Sequence, residues 1–233
     1  MCWSGSSAEK SLEICVPESP VTLSALRSLL AARFPEKPRQ PGCGVSTGVT
    51  AVDEALGGGL PGGRLTEVVS AEPSSGGQTL LAQLLVSTRV ARRRVALVDG
   101  ADGFAPESVP PDALRHLVWV RCQNVAQALA SADVLVRDGN FAVVALDLRG
   151  CDHRELRRTP ATIWYRLHRA AETSGVAVLV QTTYPLVPAV AARLVLRSTQ
   201  ALSSRRMARE VLAAQLVVEV ARGHPDLAEE RTG

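Results

Sequence analysis

The chain has 233 residues, a formal charge of +3 from 26 basic and 23 acidic side chains, and 46% hydrophobic but only 3% aromatic residues. That length suits one compact α/β domain with a terminal extension, the composition is globular rather than disordered, and the charge is too mild to imply nucleic-acid binding by itself. Its only lysines are Lys10 and Lys37, so chemistry that needs a lysine beyond position 37 is excluded.

Residues 1–20 are polar and contain Pro17 and Pro20. Thr22 can cap a helix reaching about Phe34, with Leu23, Leu26, Leu29 and Leu30 on one face. Pro35, Pro38 and Pro41 then stop the helix and stiffen the chain. Residues 1–41 thus read as an N-terminal helical arm and proline-rich linker. The leucine stripe packs either on its own core or, as a partner-binding anchor, on another subunit. The core spans 42–222, and 223–233 form a flexible C-terminal tail.

Within the core, Val49–Leu56 forms a short helix ended by Gly57-Gly58-Gly59, and Leu60–Gly63 is a turn. Leu65–Ser70 alternates as a strand, Ala71–Gly77 is a loop of mostly small residues, and Thr79–Val90 is a helix. Strands follow at Val95–Val98, Leu117–Val120, Val143–Leu148 and Val176–Gln181, with helices at Val125–Arg137 and Thr159–Thr173 between them. Apolar strands alternating with helices predict an α/β fold, a mostly parallel sheet covered by helices on both faces. Leu194–Arg197 and Leu216–Val220 are separated by a short Arg-rich segment and are expected to pair antiparallel at an edge.

No apolar run is long enough to span a membrane. Residues 1–10 lack a basic region followed by an apolar run, so no secretion signal is read and cytoplasm is the expected location. Cys2, Cys15, Cys43, Cys122 and Cys151 are scattered without CxxC spacing, and are expected to be reduced and mostly buried rather than metal ligands. His116, His153, His168 and His224 share no ligand spacing, and Ser74, Ser75 and Ser174 have no recognisable His/Asp partners. No metal site and no nucleophilic hydrolysis are expected.

Strand, Gly/Ser loop and helix in that order are the context of a phosphate-binding loop, GxxxxGK[ST]. The window that fits is Glu72-Pro73-Ser74-Ser75-Gly76-Gly77-Gln78-Thr79. Gly77 and Thr79 match the pattern, whereas Glu72 replaces the first glycine and Gln78 the lysine. Glutamine offers phosphate a dipole and no charge, and a carboxylate at position 72 repels it. The loop keeps its backbone donors and the helix N-terminus, which leaves weak anion or nucleotide binding open beside a purely structural loop. No cofactor is expected. Asp147 closes the apolar strand where a magnesium–water ligand stands beside such a loop, although a strand-end cap explains it equally well. Asp99 ends another strand, where a hydrolytic site wants a carboxylate to orient water.

The stretch Gly48-Val-Thr-Ala-Val-Asp53-Glu-Ala-Leu56-Gly-Gly-Gly59-Leu-Pro61-Gly-Gly63-Arg64-Leu-Thr-Glu67 resembles the lead into the phosphate loop of RecA recombinases. The likeness continues at Ser74–Gly77, Leu97–Ala101, Gln127–Leu129, Val144–Asp147 and Gln181, so it covers about residues 42–222. It implies a RecA-like P-loop core. Ala101 stands at the family's catalytic glutamate, with Asp102 out of register, so the resemblance implies a protein that does not hydrolyse nucleotide; a divergent P-loop ATPase is the alternative. The segments following Asp147 and Gln181 are short where RecA carries long DNA-binding loops. Small, Arg-rich chains with a degraded loop resemble the ImuA group. That resemblance implies a role in damage-induced (SOS) translesion mutagenesis, with RecA, an ImuB-like Y-family protein and an error-prone DnaE-type polymerase as partners.

Arg154, Arg157 and Arg158 lie at helical spacing, Arg166 and Arg169 follow, and Arg205, Arg206 and Arg209 form a second cluster near the expected loop positions. Arg92, Arg93 and Arg94 form a third. Arginine forks suit phosphate, so DNA is a candidate partner, with a solvated surface as the alternative. Trp164 and Tyr165 could stack on bases or serve as core or interface aromatics.

Overall fold

The computed structural model describes residues 44–72, 75–188, 190–197 and 209–222. The expected arm helix with Leu23, Leu26, Leu29 and Leu30, the linker, the tail, and Pro73, Ser74, Arg205 and Arg206 lie outside these residues.

The described elements are α1 (Thr50–Ala55), β1 (Leu65–Val69), α2 (Gly77–Val90), β2 (Val95–Asp99), β3 (Leu117–Arg121), α3 (Val125–Asp138), β4 (Val143–Asp147), α4 (His153–Arg158), α5 (Ala161–Ser174), β5 (Ala177–Thr182), β6 (Ala192–Arg197), α6 (Arg209–Ala214) and β7 (Val217–Arg222). Two 3₁₀ turns, Pro106–Ser108 and Pro111–Leu114, fill the β2–β3 connection. Among the described residues the strands form one sheet in the order β3-β2-β4-β5-β1-β6-β7. All pairs are parallel except β6 with β7, which run antiparallel at the edge. The expected α/β architecture, with its antiparallel edge, is what the chain adopts.

Two apolar layers sandwich the sheet. One joins Val52 and Leu56 of the α1 region, Leu80, Leu81, Leu84 and Leu85 of α2, and Ala213 and Leu216 near α6 to one face. The other joins Ala128, Leu129 and Ala132 of α3, Leu156 of α4, and Trp164, Leu167 and Ala171 of α5 to the opposite face. Neighbouring residues in β2 divide between these layers, Val95 and Leu97 on one side and Ala96 and Val98 on the other. The four-residue apolar run Val95–Val98 is therefore buried from both sides.

Two elements differ from the sequence reading, each for a physical reason. The Leu65–Ser70 segment was expected to alternate. All five residues of β1 are buried, Thr66 and Glu67 included, because the strand lies between β5 and β6 with apolar layers above and below. The helix expected from Thr159 begins at Ala161. Pro160 drives the residue before it out of helical geometry, and Thr159 is extended at ψ 118°. Elsewhere local signals hold the ends where the pattern puts them. Asn124 caps α3 by accepting from Gln127 N at 2.9 Å, and Asp152 caps α4 by accepting from Arg154 N and Glu155 N at 2.8 and 3.0 Å.

Candidate functional site

β1, β2, β4 and β5 all end at the same edge of the sheet, and the β1–α2 loop lies there. Carboxyl edges of parallel strands are where α/β sheets place ligands. A cleft of ≈ 300 Å³ opens at this edge, lined by Ser70, Glu72, Gln78, Ala101, Asp147 and Arg149 among others. Glu72 and Gln78 of the sequence window thus line the cleft, and the strand-end acids Asp99 and Asp147 line it too.

The loop enters α2 through Gly76, whose φ of 101° is the left-handed geometry that glycine adopts without strain. Leu216 lies over this residue, so that a Cβ on Gly76 would strike its Cδ2. Ser75 is buried, and its hydroxyl donates to Glu72 O. Gly77 is crowded from the other side. A Cβ there would fall on Arg149 Nη1 and 3.1 Å from Ser70 Oγ. Gln78, at the lysine position of the pattern, is engaged by the protein itself. Its Nε2 donates to Gly103 O at 2.7 Å, tying the loop to the β2–β3 connection. Thr79 is half-buried in the first turn of α2. Gln181, nearly fully buried, donates from Nε2 to Gly77 O at 3.1 Å. Ser70 Oγ, Gln78 Oε1 and Gln181 Oε1 are buried without a hydrogen-bond partner among the described residues.

The acids at the strand ends are already engaged. Asp147 Oδ1 accepts from Arg149 Nε at 2.8 Å and from Arg149 N at 3.1 Å, while Oδ2 accepts from Arg149 Nη2 at 2.5 Å. The pair is largely buried, with side-chain exposures of 16% for Arg149 and 7% for Asp147. Asp99 accepts from Gly103 N and Phe104 N, both at 2.9 Å, and from Trp119 Nε1 at 3.3 Å. It is the anchor of its own loop rather than a carboxylate presented to water. Ala101 is exposed at the cleft wall. Asp102, at φ 55°, pairs with Arg121, whose guanidinium holds its carboxyl below the ordinary carboxylate range. Burial pushes the Cys151 thiol up to about 12, with the nearby Asp147 and Asp99 carboxylates adding to it. Among the described residues no group of three His, Cys, Asp or Glu side chains is placed to hold a metal, and no helix is long and apolar enough to cross a membrane.

The arginine clusters separate. Arg154, Arg157 and Arg158 are exposed on α4, which follows β4. Arg157 lies over the Tyr184 ring at 5.6 Å, and His153 meets the same ring at 5.1 Å. Arg92, Arg93 and Arg94 precede β2 and so lie at the opposite end of the strands from the cleft. Arg166 pairs with Asp133 of α3 at 3.5 Å. Arg209 opens α6. Trp164 is 2% exposed and belongs to the core, whereas Tyr165 is 53% exposed.

Two important residues were not singled out by sequence reasoning. Arg149 stands two positions after a strand-ending acid, and that spacing was the available signal. Glu67 carried none, because its partners are distant in the chain. Its Oε1 accepts from Thr182 Oγ1, Leu186 N and Val187 N, and its Oε2 from Arg193 Nε.

Residues 35–150 match the RecA N-terminal domain family. The RecA protein of Streptomyces avermitilis is 37% identical over 118 residues, covering 49% of this chain and 31% of that protein. The RecA proteins of Rubrobacter xylanophilus and Nocardia farcinica are 34% and 35% identical, each covering 49% of this chain and 34% of the relative. The chain thus spans about a third of the length of the curated RecA proteins it matches.

Proposed function

We propose that this chain, whose core is a RecA-like domain, is a catalytically silent accessory protein of damage-induced translesion mutagenesis. It docks on RecA and works beside an ImuB-like Y-family protein and a DnaE-type polymerase. The observation that carries the reading is Gln78. The side chain at the lysine position is a neutral amide, which brings no cation from α2 toward a phosphate, and its Nε2 is spent on Gly103 O at 2.7 Å. Glu72 adds a carboxylate to the cleft and Ala101 brings none where water would be oriented. Phosphoryl transfer depends almost entirely on positioned charge, and each of these departures removes or opposes it. A protomer that shares RecA's core without cycling nucleotide caps or modulates a filament rather than driving it.

The test is capture of purified RecA by the full chain, with and without single-stranded DNA. Retention of RecA is expected in at least one condition, together with nucleotide turnover no higher than background. The Leu26→Asp/Leu30→Asp variant is expected to lose most of that retention while its melting temperature stays unchanged. Intact capture by this variant removes the docking-arm role, a fall in melting temperature assigns the stripe to the chain's own core, and no capture in either condition overturns the reading.

One cluster favours a second reading, non-catalytic DNA binding: the exposed arginines of α4 with Arg157 and His153 against the Tyr184 ring.

A further inference from the structure

A magnesium nucleotide needs two things from this cleft. The acid closing β4 must leave oxygen lone pairs for the metal or its water, and the loop must present donors to phosphate oxygens. The residues present do not fit that group. Both Asp147 oxygens accept from Arg149, at 2.8 Å from Nε and 2.5 Å from Nη2. The remaining nitrogen, Nη1, lies against Gly77 at the N-terminus of α2. Of the side-chain groups left unspent around the loop, Ser70 Oγ can still donate, but the two amide oxygens oppose phosphate. Gln78 and Gln181 each donate through Nε2 to a carbonyl, which fixes their amide orientation and leaves Oε1 facing away from it. Two amide oxygens complement a cation and repel phosphate oxygens. On the outer side, Leu216 closes over Gly76.

We infer that Arg149 is a resident plug of the phosphate cradle: its guanidinium stands on Asp147 and against Gly77, excludes a divalent-metal nucleotide, and confines Gly76-Gly77 opposite Leu216. Arginine stays protonated at any pH a protein survives, so acidity or alkalinity does not release it. Admitting a metal requires the guanidinium to leave a carboxylate that is 7% exposed. This inference deepens the catalytically silent reading and rests on it. Its test is nucleotide affinity, which fails separately from RecA capture.

The experiment compares four forms of the full chain: wild type, Arg149→Ala, the loop-restored Glu72→Gly/Gln78→Lys, and the loop-restored form carrying Arg149→Ala. Binding of ATPγS is measured by calorimetry and thermal shift, with magnesium and with EDTA. Wild type and the loop-restored form with Arg149 are expected not to bind. Magnesium-dependent binding, at least tenfold tighter, is expected in the loop-restored form that lacks Arg149. Circular dichroism checks that each form is folded, and Arg149→Gln, a shorter uncharged side chain that keeps an amide donor, replaces the alanine if that form unfolds. Equal binding by the two loop-restored forms, magnesium-dependent binding by wild type, or no binding by the folded loop-restored form lacking Arg149 would each overturn the inference.

Discussion

Glu67 has no exposed surface, and its carboxylate takes Leu186 N at 2.7 Å and Arg193 Nε at 2.5 Å while Arg193 Nη2 holds Val187 O at 2.6 Å. Removing one partner of a buried pair leaves an uncompensated charge, which typically costs about 3–5 kcal/mol. Glu67→Ala is therefore expected to lower unfolding free energy by about that much in a urea titration. A change below about 1 kcal/mol, typical of an exposed pair, would contradict this account. His116 sets a different expectation. Burial, and secondarily Arg89, hold its imidazole below the ordinary range, with Asp112 opposing them; its Nε2 lies 2.9 Å from Thr88 Oγ1. The folded protein thus takes up that proton less readily than the unfolded chain. The contribution is complete above the unfolded pKa of about 6.5 and is lost as pH falls below it. His116→Gln should flatten the decline of melting temperature as pH falls below about 6.5. An unchanged decline would place the effect in other groups.

Elements whose apolar period matched a single environment were legible from sequence. The α3 pattern agreed with its Asn124 cap, and β2 and β4 read as doubly buried strands and are so. The lead-in motif has a local cause: Asp53 on α1 accepts from Thr47 N at 2.8 Å, Thr47 Oγ1 at 2.7 Å and Ser46 Oγ at 2.7 Å, which ties the segment before α1 to the helix. The position of the cleft was legible for the same reason, since strand, loop and helix follow one another in the chain. Its occupant was not, because Arg149 meets Gly77 across 72 positions, and no periodicity reports such a meeting. Nor was the polar interior of β1 legible, since Glu67 finds its partners more than a hundred residues away. At α4, Leu156 is buried while Arg154, Arg157 and Arg158 are exposed. If these arginines meet phosphates, replacing all three with alanine should weaken DNA binding at every sequence and reduce the salt slope by about one for each phosphate left unneutralised. An unchanged slope would leave the cluster as solvated surface.

At the scale of the whole sheet, the cleft-lining polar residues stand at one edge, and three described connections there are restrained. The β4–α4 turn is closed by the Asp152 cap and by Arg149 on Asp147, and the β2–β3 connection hangs on Asp99 and Gln78. The β5–β6 connection is held by Glu67 and Arg193 through Leu186 and Val187. Held connections have a calorimetric consequence. Segments that fold on contact with a partner bury about 1,000–3,000 Å² in doing so and register it as a large negative heat-capacity change. The described connections, ordered beforehand, have little of that surface left to bury, so association through them proceeds as a meeting of rigid bodies. Titration of single-stranded DNA onto this protein across a range of temperatures should give an enthalpy that varies little with temperature, and an enthalpy falling steeply on warming would mean that the edge reorganises on contact.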